Sequence, residues 1–511
     1  MKFKLFVSVL FLCVALSAAA ERINQEGRIL GTQVVVTSPI LFNTNNADPV
    51  LSSLQIFPVT NPWNECISNR PVLANSTAMI AQITNDLATN RQTLRIFKEM
   101  NFILAPDNQA LKPIEFLDYW DESDPNGGVD PFGLYPIPTN MPVETWPSET
   151  GTNSLVQWQQ DIHNDGGDRH AIVVQPGVGD VWETWQAKLN GTNWEASNGA
   201  KFNLYTNGLR HAGWTSGDAA GLPMFPALVR FDECERGMVE HAMRIVVKRS
   251  RYGTNNYPAT HYAAPSTNTS ANLPMMGQRV RLKSSYVINT NWTKQEKALL
   301  LGLKKYGAIV ADNGGFFSIS VTPDKRWPDS CFDHLNTIYV TNFEVIQTTG
   351  PTEGPRSPGA PVADAGADQA AAVGTPVPLQ GAVTFSNTTP VIQWKLYSGP
   401  GTVTFGNAAQ TNTTATFSAP GVYTLMLSAD DGVHAVAYDA VVFSVGQGVL
   451  LNAVPSGTNL NLNWSGGIAP FVIERTLSLS PATWSPYATT SVQNASVVIS
   501  GDAGFFRVRS N

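Results

Sequence analysis

Residues 391–428 read VIQWKLYSGPGTVTFGNAAQTNTTATFSAPGVYTLMLS. Short runs of β-branched, aromatic and aliphatic residues alternate with clusters of Gly, Pro, Asn and Ser, the pattern of strands joined by tight turns. The spacing predicts strands over 391–396, 401–405, 415–417 and 422–428, with a further one over 437–445. Together they make a small β-sandwich over residues 362–446. On its C-terminal side, strand-like runs at 460–464, 471–476 and 505–509 predict a second small β module over 449–511. On its N-terminal side lies TTGPTEGPRSPGAP, residues 348–361. This composition supports neither helix nor central strand, so 349–361 reads as an interdomain linker.

Before the linker the chain is rich in Trp, Phe and His, and residues 22–348 form one large domain that is mainly β, of jelly-roll or related sandwich type, with a few helices. Met79, Ile80, Ile83 and Leu87 recur at helical spacing over 76–88. Thr293 and Glu296 form a capping box ahead of the apolar run at 298–303, which feeds a buried strand over 306–311. A hairpin is expected from 169–175 and 180–186 across Pro176–Gly179, and a deeply buried strand at 241–247.

Composition bounds the function. Of 511 residues, 43% are hydrophobic, enough for a real core, and only 14% are charged. A net charge of −7 gives no general attraction for nucleic acid or anionic membrane, so no nucleic-acid partner is expected. Lys2 and Lys4, the apolar run 5–16, and Ala18 and Ala20 read as a signal peptide over 1–20, which places the protein in a secreted, periplasmic or cell-surface location. No later run reaches membrane-spanning length, so no transmembrane segment is expected. Cys66, Cys234 and Cys331 then remain. An odd number allows at most one disulfide, and its pairing stays open.

Three segments resemble known families. ADAGADQ at 363–369, QWKLYSGPGTVTF at 393–405 and ATFSAPGVYTLMLSADDG at 415–432 resemble the PKD-like repeats of secreted multidomain proteins. The resemblance implies a spacer or weak carbohydrate binder without catalytic residues. Asp430 and Asp431 are able to hold calcium as a structural ion, but a turn is the commoner use of such a pair. The tail GDAGFFRVRS at 501–510 resembles the closing segment of small sandwich modules on exported bacterial proteins. In the large domain, FPVTNPWNECISNRPV (57–72), GGDRH (166–170), GWTSGDAAGLPMFPALVRFDE (213–233), HAMR (241–244) and MGQRVRLK (276–283) resemble an uncharacterised family of exported bacterial proteins. That resemblance supplies no catalytic residues.

Candidate chemistry therefore comes from the residues themselves. In DGGDRH, a strand would place Asp168 and His170 on one face, where the carboxylate can set the imidazole tautomer for acid–base work. The long Gly- and Pro-rich stretch 207–240 carries Trp214, Asp218, Arg230, Asp232 and Glu233, just before His241. Glycoside hydrolysis needs two carboxyl groups from different parts of the chain, so Asp232 or Glu233 is expected to pair with Asp168, Asp218 or Glu183. Asp312 is a second choice with Asp218. Arg169 and Arg230 are the expected orienting cations. Glu183 shares a strand face with Val181 and Trp185, and Trp185 and Trp214 are expected to stack on sugar rings. For each of these the plainer reading is structural: an Arg–carboxylate bridge, a core His, a packed Trp.

No histidine pair has zincin spacing, and there is neither a Gly-rich phosphate loop nor a G-x-S-x-G elbow, so no cofactor and no catalytic metal are expected. The resulting expectation is an exported enzyme acting on extracellular polysaccharide by carboxylate and His acid–base hydrolysis, with no specific protein partner. The rivals are a non-catalytic carbohydrate-binding or adhesion protein, and a lyase using Arg279, Arg281 and Lys283 to line a basic groove.

Overall fold

The computed structural model describes residues 21–510 apart from 149, 387, 447–448, 468, 480 and 499–503. The expected signal peptide and the start of the GDAGFFRVRS stretch lie outside the described residues. The described chain separates into two compact units, one spanning Asn24–Pro358 with Val433–Ala435, the other formed by the rest. The expected linker therefore begins inside the large unit. Arg356 donates to Glu65 at 3.0 Å and to the carbonyls of Thr60 and Gly350, which fastens this stretch down.

The large unit is mainly β, as the strand pattern requires. Its first sheet has the order β1 (Ile40–Leu41), β3 (Ile103–Leu104), β6 (Ala171–Gln175), β7 (Asp180–Trp185), β10 (Asn198–Asn203). The second is β15 (Phe343–Val345), β12 (Arg279–Leu282), β13 (Ala308–Asn313), β11 (Met243–Val247), β14 (Phe317–Val321), β2 (Leu94–Lys98). The third is β5 (Phe132–Tyr135), β4 (Lys112–Phe116), β9 (Asn193–Ala196), β8 (Lys188–Asn190). The second sheet is mixed: β11 runs parallel to β13, and β14 parallel to β2.

Alternation along β6 explains how the layers stack. Ile172 and Val174 join the core shared with β11, β13 and β14, while Ala171 and Val173 join the core shared with Phe116, Tyr135 and Trp194 of the third sheet. Every residue of β6 is buried because both faces of its sheet are covered, so the strand reads as an unbroken apolar run. The β6–β7 hairpin turns at Pro176–Gly179 as expected, and its register pairs Ile172 with Glu183. That pairing sends Glu183 toward the second sheet and Trp182 toward the third.

Helices α1 (Ala47–Ser53), α2 (Ser76–Asp86), α3 (Leu155–Gln160), α4 (Phe231–Arg236) and α5 (Lys294–Lys305) complete the unit. The Thr293–Glu296 capping box starts α5, and Met79, Ile80 and Ile83 of α2 enter the main core. The 207–240 stretch is more ordered than its composition suggests: it carries α4 and a 3-10 turn at Phe225–Ala227. Among the described residues, no helix is long and apolar enough to cross a membrane.

The basic groove expected from Arg279 and Arg281 is not formed. Both are buried on β12. Arg279 donates to the carbonyls of Tyr306 and Pro62, and Arg281 to Glu344 and the carbonyls of Ile67 and Ser68. They bind the 62–68 loop to the sheet, and burial pulls Arg279 down to about 10.

In the second unit, residues 362–446 form the expected sandwich, with strands Val391–Ser398, Val403–Phe405, Asn412–Phe417, Gly421–Asp430 and Ala437–Gly446 among others. Its core holds Trp394, Phe417, Tyr423, Leu425 and Phe443. Tyr423 lies against Gly399, where a Cβ would stand 2.2 Å from the ring, and its hydroxyl donates to the Ala419 carbonyl at 2.9 Å. Asp430 accepts from the Gly432 N–H at 2.9 Å, the turn use of that carboxylate. The 449–511 module has its own core around Leu462, Trp464, Phe471 and Ile473.

Candidate functional site

One buried charge cluster of the large unit centres on Arg244, on β11. It is 3% exposed, and it forks onto Asp218, which is fully buried. Its Nη1 donates to Ser320 Oγ of β14 at 2.6 Å. Burial works against the charge of Arg244, but Asp218 holds it above its usual range. Asp218 is presented by a turn in which Ser216 Oγ donates to the Leu222 carbonyl at 2.6 Å and the Ala220 N–H donates to Ala311 of β13 at 3.0 Å.

Two more carboxylates face this guanidinium without bonding it closely. Asp312, near the end of β13, lies 4.0 Å from Nη2, and Glu99, just past β2, lies 3.9 Å from Nη1. Their side chains are 29% and 27% exposed, so both are mostly buried beside a buried cation. Burial, reinforced by Asp218, pushes Asp312 up to about 6. Burial also raises Glu99, against the pull of Arg244. Ser320 Oγ donates to Glu99, which fixes that carboxylate.

His170 and Glu144 close another side. Glu144 N–H donates to the His170 carbonyl at 2.7 Å, and His170 N–H donates to Glu144 Oε2 at 3.1 Å. The two residues are the base of the 145–169 excursion that contains α3. The His170 ring is buried and its Nδ1 has no partner. A Cβ on Gly217 would stand 2.4 Å from Met224 Cε and 3.3 Å from that nitrogen, so the Met224 side chain occupies the space that the glycine leaves. The His170 ring lies within electrostatic reach of Glu99, Glu183 and Asp312. Glu183 accepts from the N–H groups of Met224 and Phe225 at 2.8–2.9 Å, and burial pushes it up to about 7 despite those bonds.

The structure thus gathers His170, Glu183, Asp218 and Asp312 of the expected set, and adds Glu99, Glu144, Arg244 and Ser320. Arg244 carried a legible signal, a lone cation in the middle of an apolar strand. Glu99 and Glu144 carried none, because each follows its strand or turn by a step that only the fold defines.

Asp168 and His170 do not share a strand face. Arg169 between them adopts φ +46°, and β6 starts only at Ala171, so strand alternation does not apply. Asp168 is exposed and accepts from Trp185 Nε1 at 3.3 Å, and Trp185 lies 5.9 Å from the Tyr119 ring. Arg169 is buried and donates to the carbonyls of Ala187, Trp158 and Gln159, which ties α3 down. Trp214 packs beside His211 and Arg210.

Asp232, Glu233, Arg230 and His241 form a separate network on α4 and its flanks. Arg230 donates to Glu233, Arg236 donates to Asp232 at 2.6 Å, and His241 Nε2 lies 3.1 Å from Glu233 Oε2. His241 Nδ1 faces the Ala242 carbonyl at 2.7 Å, so both ring nitrogens meet oxygen acceptors and neither is free for base work. Although burial opposes it, Arg230 and His241 hold Glu233 down to about 2. A small pocket of about 30 Å³ borders this network, walled by Asn24, Gln25 and Arg28. Cys66 is exposed and Cys234 and Cys331 are buried, all three as free thiols.

Comparison with known proteins bears on the second unit. The PKD domain family matches residues 359–443, so the chain carries a PKD domain there. Similar solved structures include the PKD domain from KIAA 1837 protein (22% identity, 22% of this chain and 99% of that one, TM-score 0.15). The PKD domain of human KIAA0319 is 18% identical over 22% of this chain and 99% of that one, with a TM-score of 0.17. The D00-D0 domain of Intimin is 13% identical over 30% and 86%, also at 0.17. No curated protein matches the chain.

Proposed function

We propose that the chain is an exported polysaccharide-active enzyme that hydrolyses glycosidic bonds at the Arg244 cluster. One observation carries this reading: Glu99 and Asp312, from distant parts of the chain, are both partly exposed within 4.0 Å of one buried guanidinium. Two carboxylates held on Nη1 and Nη2 of one arginine lie at most on the order of 10 Å apart, within reach of a shared glycosidic bond.

In this reading Asp312, held up to about 6, keeps its proton in mildly acidic solution below that pH and gives it to the leaving glycosidic oxygen. Glu99, fixed by Ser320, takes the proton of the attacking water. The C–O bond breaks, water adds across it, and each carboxyl ends with the other's starting charge until a proton passes back through solvent. His170, Asp218 and Arg244 set the field in which the two carboxyls titrate. Arg230, Asp232, Glu233 and His241 pair with one another, and their role is to hold α4 in place.

A second reading, a non-catalytic carbohydrate-binding or adhesion protein, is favoured by the PKD domain and by the Tyr119–Trp185 pair, in which Tyr119 is exposed and Trp185 half-buried. Reducing-end release and absorbance of unsaturated uronates, measured together on neutral and charged polysaccharides, separate the readings. The hydrolase gives reducing ends without ultraviolet absorbance. Both signals together mean a lyase, and retention of polymer without either means a binding protein.

A further inference from the structure

Ser197 joins β9 of the third sheet to β10 of the first, and it is 2% exposed. It is bonded on three sides. Its N–H donates to the Trp185 carbonyl at 2.8 Å, and its own carbonyl accepts from the Tyr119 N–H at 2.9 Å. Its hydroxyl bridges Asp118 Oδ2 and the side-chain amide of Gln186. One buried residue thus holds four others from two separate stretches of chain, 118–119 and 185–186. Gln186 adopts φ +55°, uncommon for a residue with a side chain, and its N–H donates to the Asp168 carbonyl at 2.7 Å. The Asp168 carboxylate accepts from Trp185 Nε1.

The rings of Tyr119 and Trp185 stand 5.9 Å apart, tilted by 46°. Tyr119 is 42% exposed, Trp185 is half-buried, and Asp118, Asp168 and Gln186 are exposed. A single exposed ring needs no explanation. Here two rings are held together at the surface, edged by two carboxylates and an amide whose positions are fixed. The surface therefore offers apolar ring faces and planar hydrogen-bonding groups side by side.

A pyranose ring has the complementary chemistry. Its C–H faces pack on aromatic rings, and its hydroxyls donate to carboxylates and exchange bonds with an amide. Because Ser197 fixes these side chains in advance, little ordering cost remains on binding. Charge narrows the class of sugar. Arg169, next to Asp168 in the chain, is buried and turned to Asp161 and to main-chain carbonyls, so its charge is spent inward. A uronate, a sulfated sugar or a nucleic-acid phosphate brought to Asp118 and Asp168 meets like charge. A stable protein partner needs about 800 Å² of surface on each side, more than two rings and three polar side chains supply.

We propose that Tyr119, Trp185, Asp118, Asp168 and Gln186 form a binding site for an uncharged sugar unit of a polysaccharide, sharing no residue with the Arg244 cluster. The inference rests on reading the chain as a polysaccharide-active or polysaccharide-binding protein, and not on where the polymer is cut.

The test is calorimetric titration of the whole protein with hexasaccharides of β-glucan, mannan and xylan, and with hexagalacturonate and hexaglucosamine. At least one neutral hexamer is expected to bind at least about tenfold tighter than either charged one. Tyr119→Ala and Gln186→Gly each weaken that binding at least about fivefold, the glycine keeping the left-handed backbone while removing the amide. Tyr339→Ala, which removes another exposed tyrosine, beside β2, leaves it unchanged. If no neutral hexamer binds, if a charged one binds as tightly, or if Tyr119→Ala and Gln186→Gly bind as the unmodified protein does, the inference is wrong. Reducing-end release is scored separately. Binding that depends on Tyr119 and Gln186 without any such release removes the hydrolase reading and leaves this site. Release with binding that ignores both variants removes this site and leaves the hydrolase.

Discussion

Removal of the Arg244 guanidinium, as in Arg244→Met, has a cost that follows from its surroundings. Methionine approximates the aliphatic stem, so packing changes little and the charge is what is lost. Asp218 is fully buried and its carboxylate is held by Arg244. Left alone it becomes an uncompensated buried charge, which costs about 3–5 kcal/mol. In a domain of this size that lowers the melting temperature by roughly 4–7 °C. The double variant Asp218→Asn/Arg244→Met removes both charges and recovers at least about 2 kcal/mol relative to the sum of the two singles. Calorimetric melting of the four proteins closes the cycle. If the two losses add, the pair is not coupled and the buried bridge is not what organises the site.

Other predictions follow from single residues. Glu183 has a folded pKa of about 7 against an ordinary value of 4.5, so its contribution favours folding at low pH and is lost as pH rises from about 4.5 to 7, on the order of 3 kcal/mol in all. Glu183→Gln should flatten that part of the stability–pH curve. Glu233 behaves oppositely: held down to about 2, it stabilises the fold above about pH 4.5 and loses that contribution as pH falls toward 2, so Glu233→Gln should lower stability at pH 7 and flatten the acid limb. Gly277 has φ +83°, and a Cβ there would stand 1.8 Å from the Asn256 carbonyl oxygen, so Gly277→Ala should destabilise the large unit by at least about 2 kcal/mol in a melting assay. A thiol reagent should titrate Cys66 in the native protein and reach Cys234 and Cys331 only after unfolding. Burial pushes both buried thiols up, Cys331 to about 11, so rapid native reaction of all three would contradict the packing.

Much of the fold was legible because its signals are local. The β6–β7 hairpin, the capping box of α5 and the strands of the 362–446 module all follow from periodicity and turn residues within one short stretch. The candidate site was half legible. Glu183 shows through strand alternation, and Asp218 through the long Gly-rich stretch that bears it. Asp168 was misleading because one left-handed residue, Arg169, cancels the alternation that paired it with His170. Asp232 and Glu233 drew notice as adjacent acids beside an arginine. That arginine instead bonds Glu233, while Arg236 takes Asp232. Glu99 and Asp312 both reach Arg244 only because β2 and β13 occupy one sheet with β11 and β14 between them, an arrangement of strands far apart in sequence.

The central claim, that catalysis is centred on Arg244 and not on α4, is tested most directly by comparing kcat/KM of Asp312→Asn with that of Glu233→Gln on the polysaccharide from which the unmodified protein releases reducing ends. The account predicts a loss of at least about 100-fold for Asp312→Asn in a protein that melts normally, and a change within about threefold for Glu233→Gln below its melting range. Full activity in Asp312→Asn, or its abolition in a folded Glu233→Gln, would contradict it.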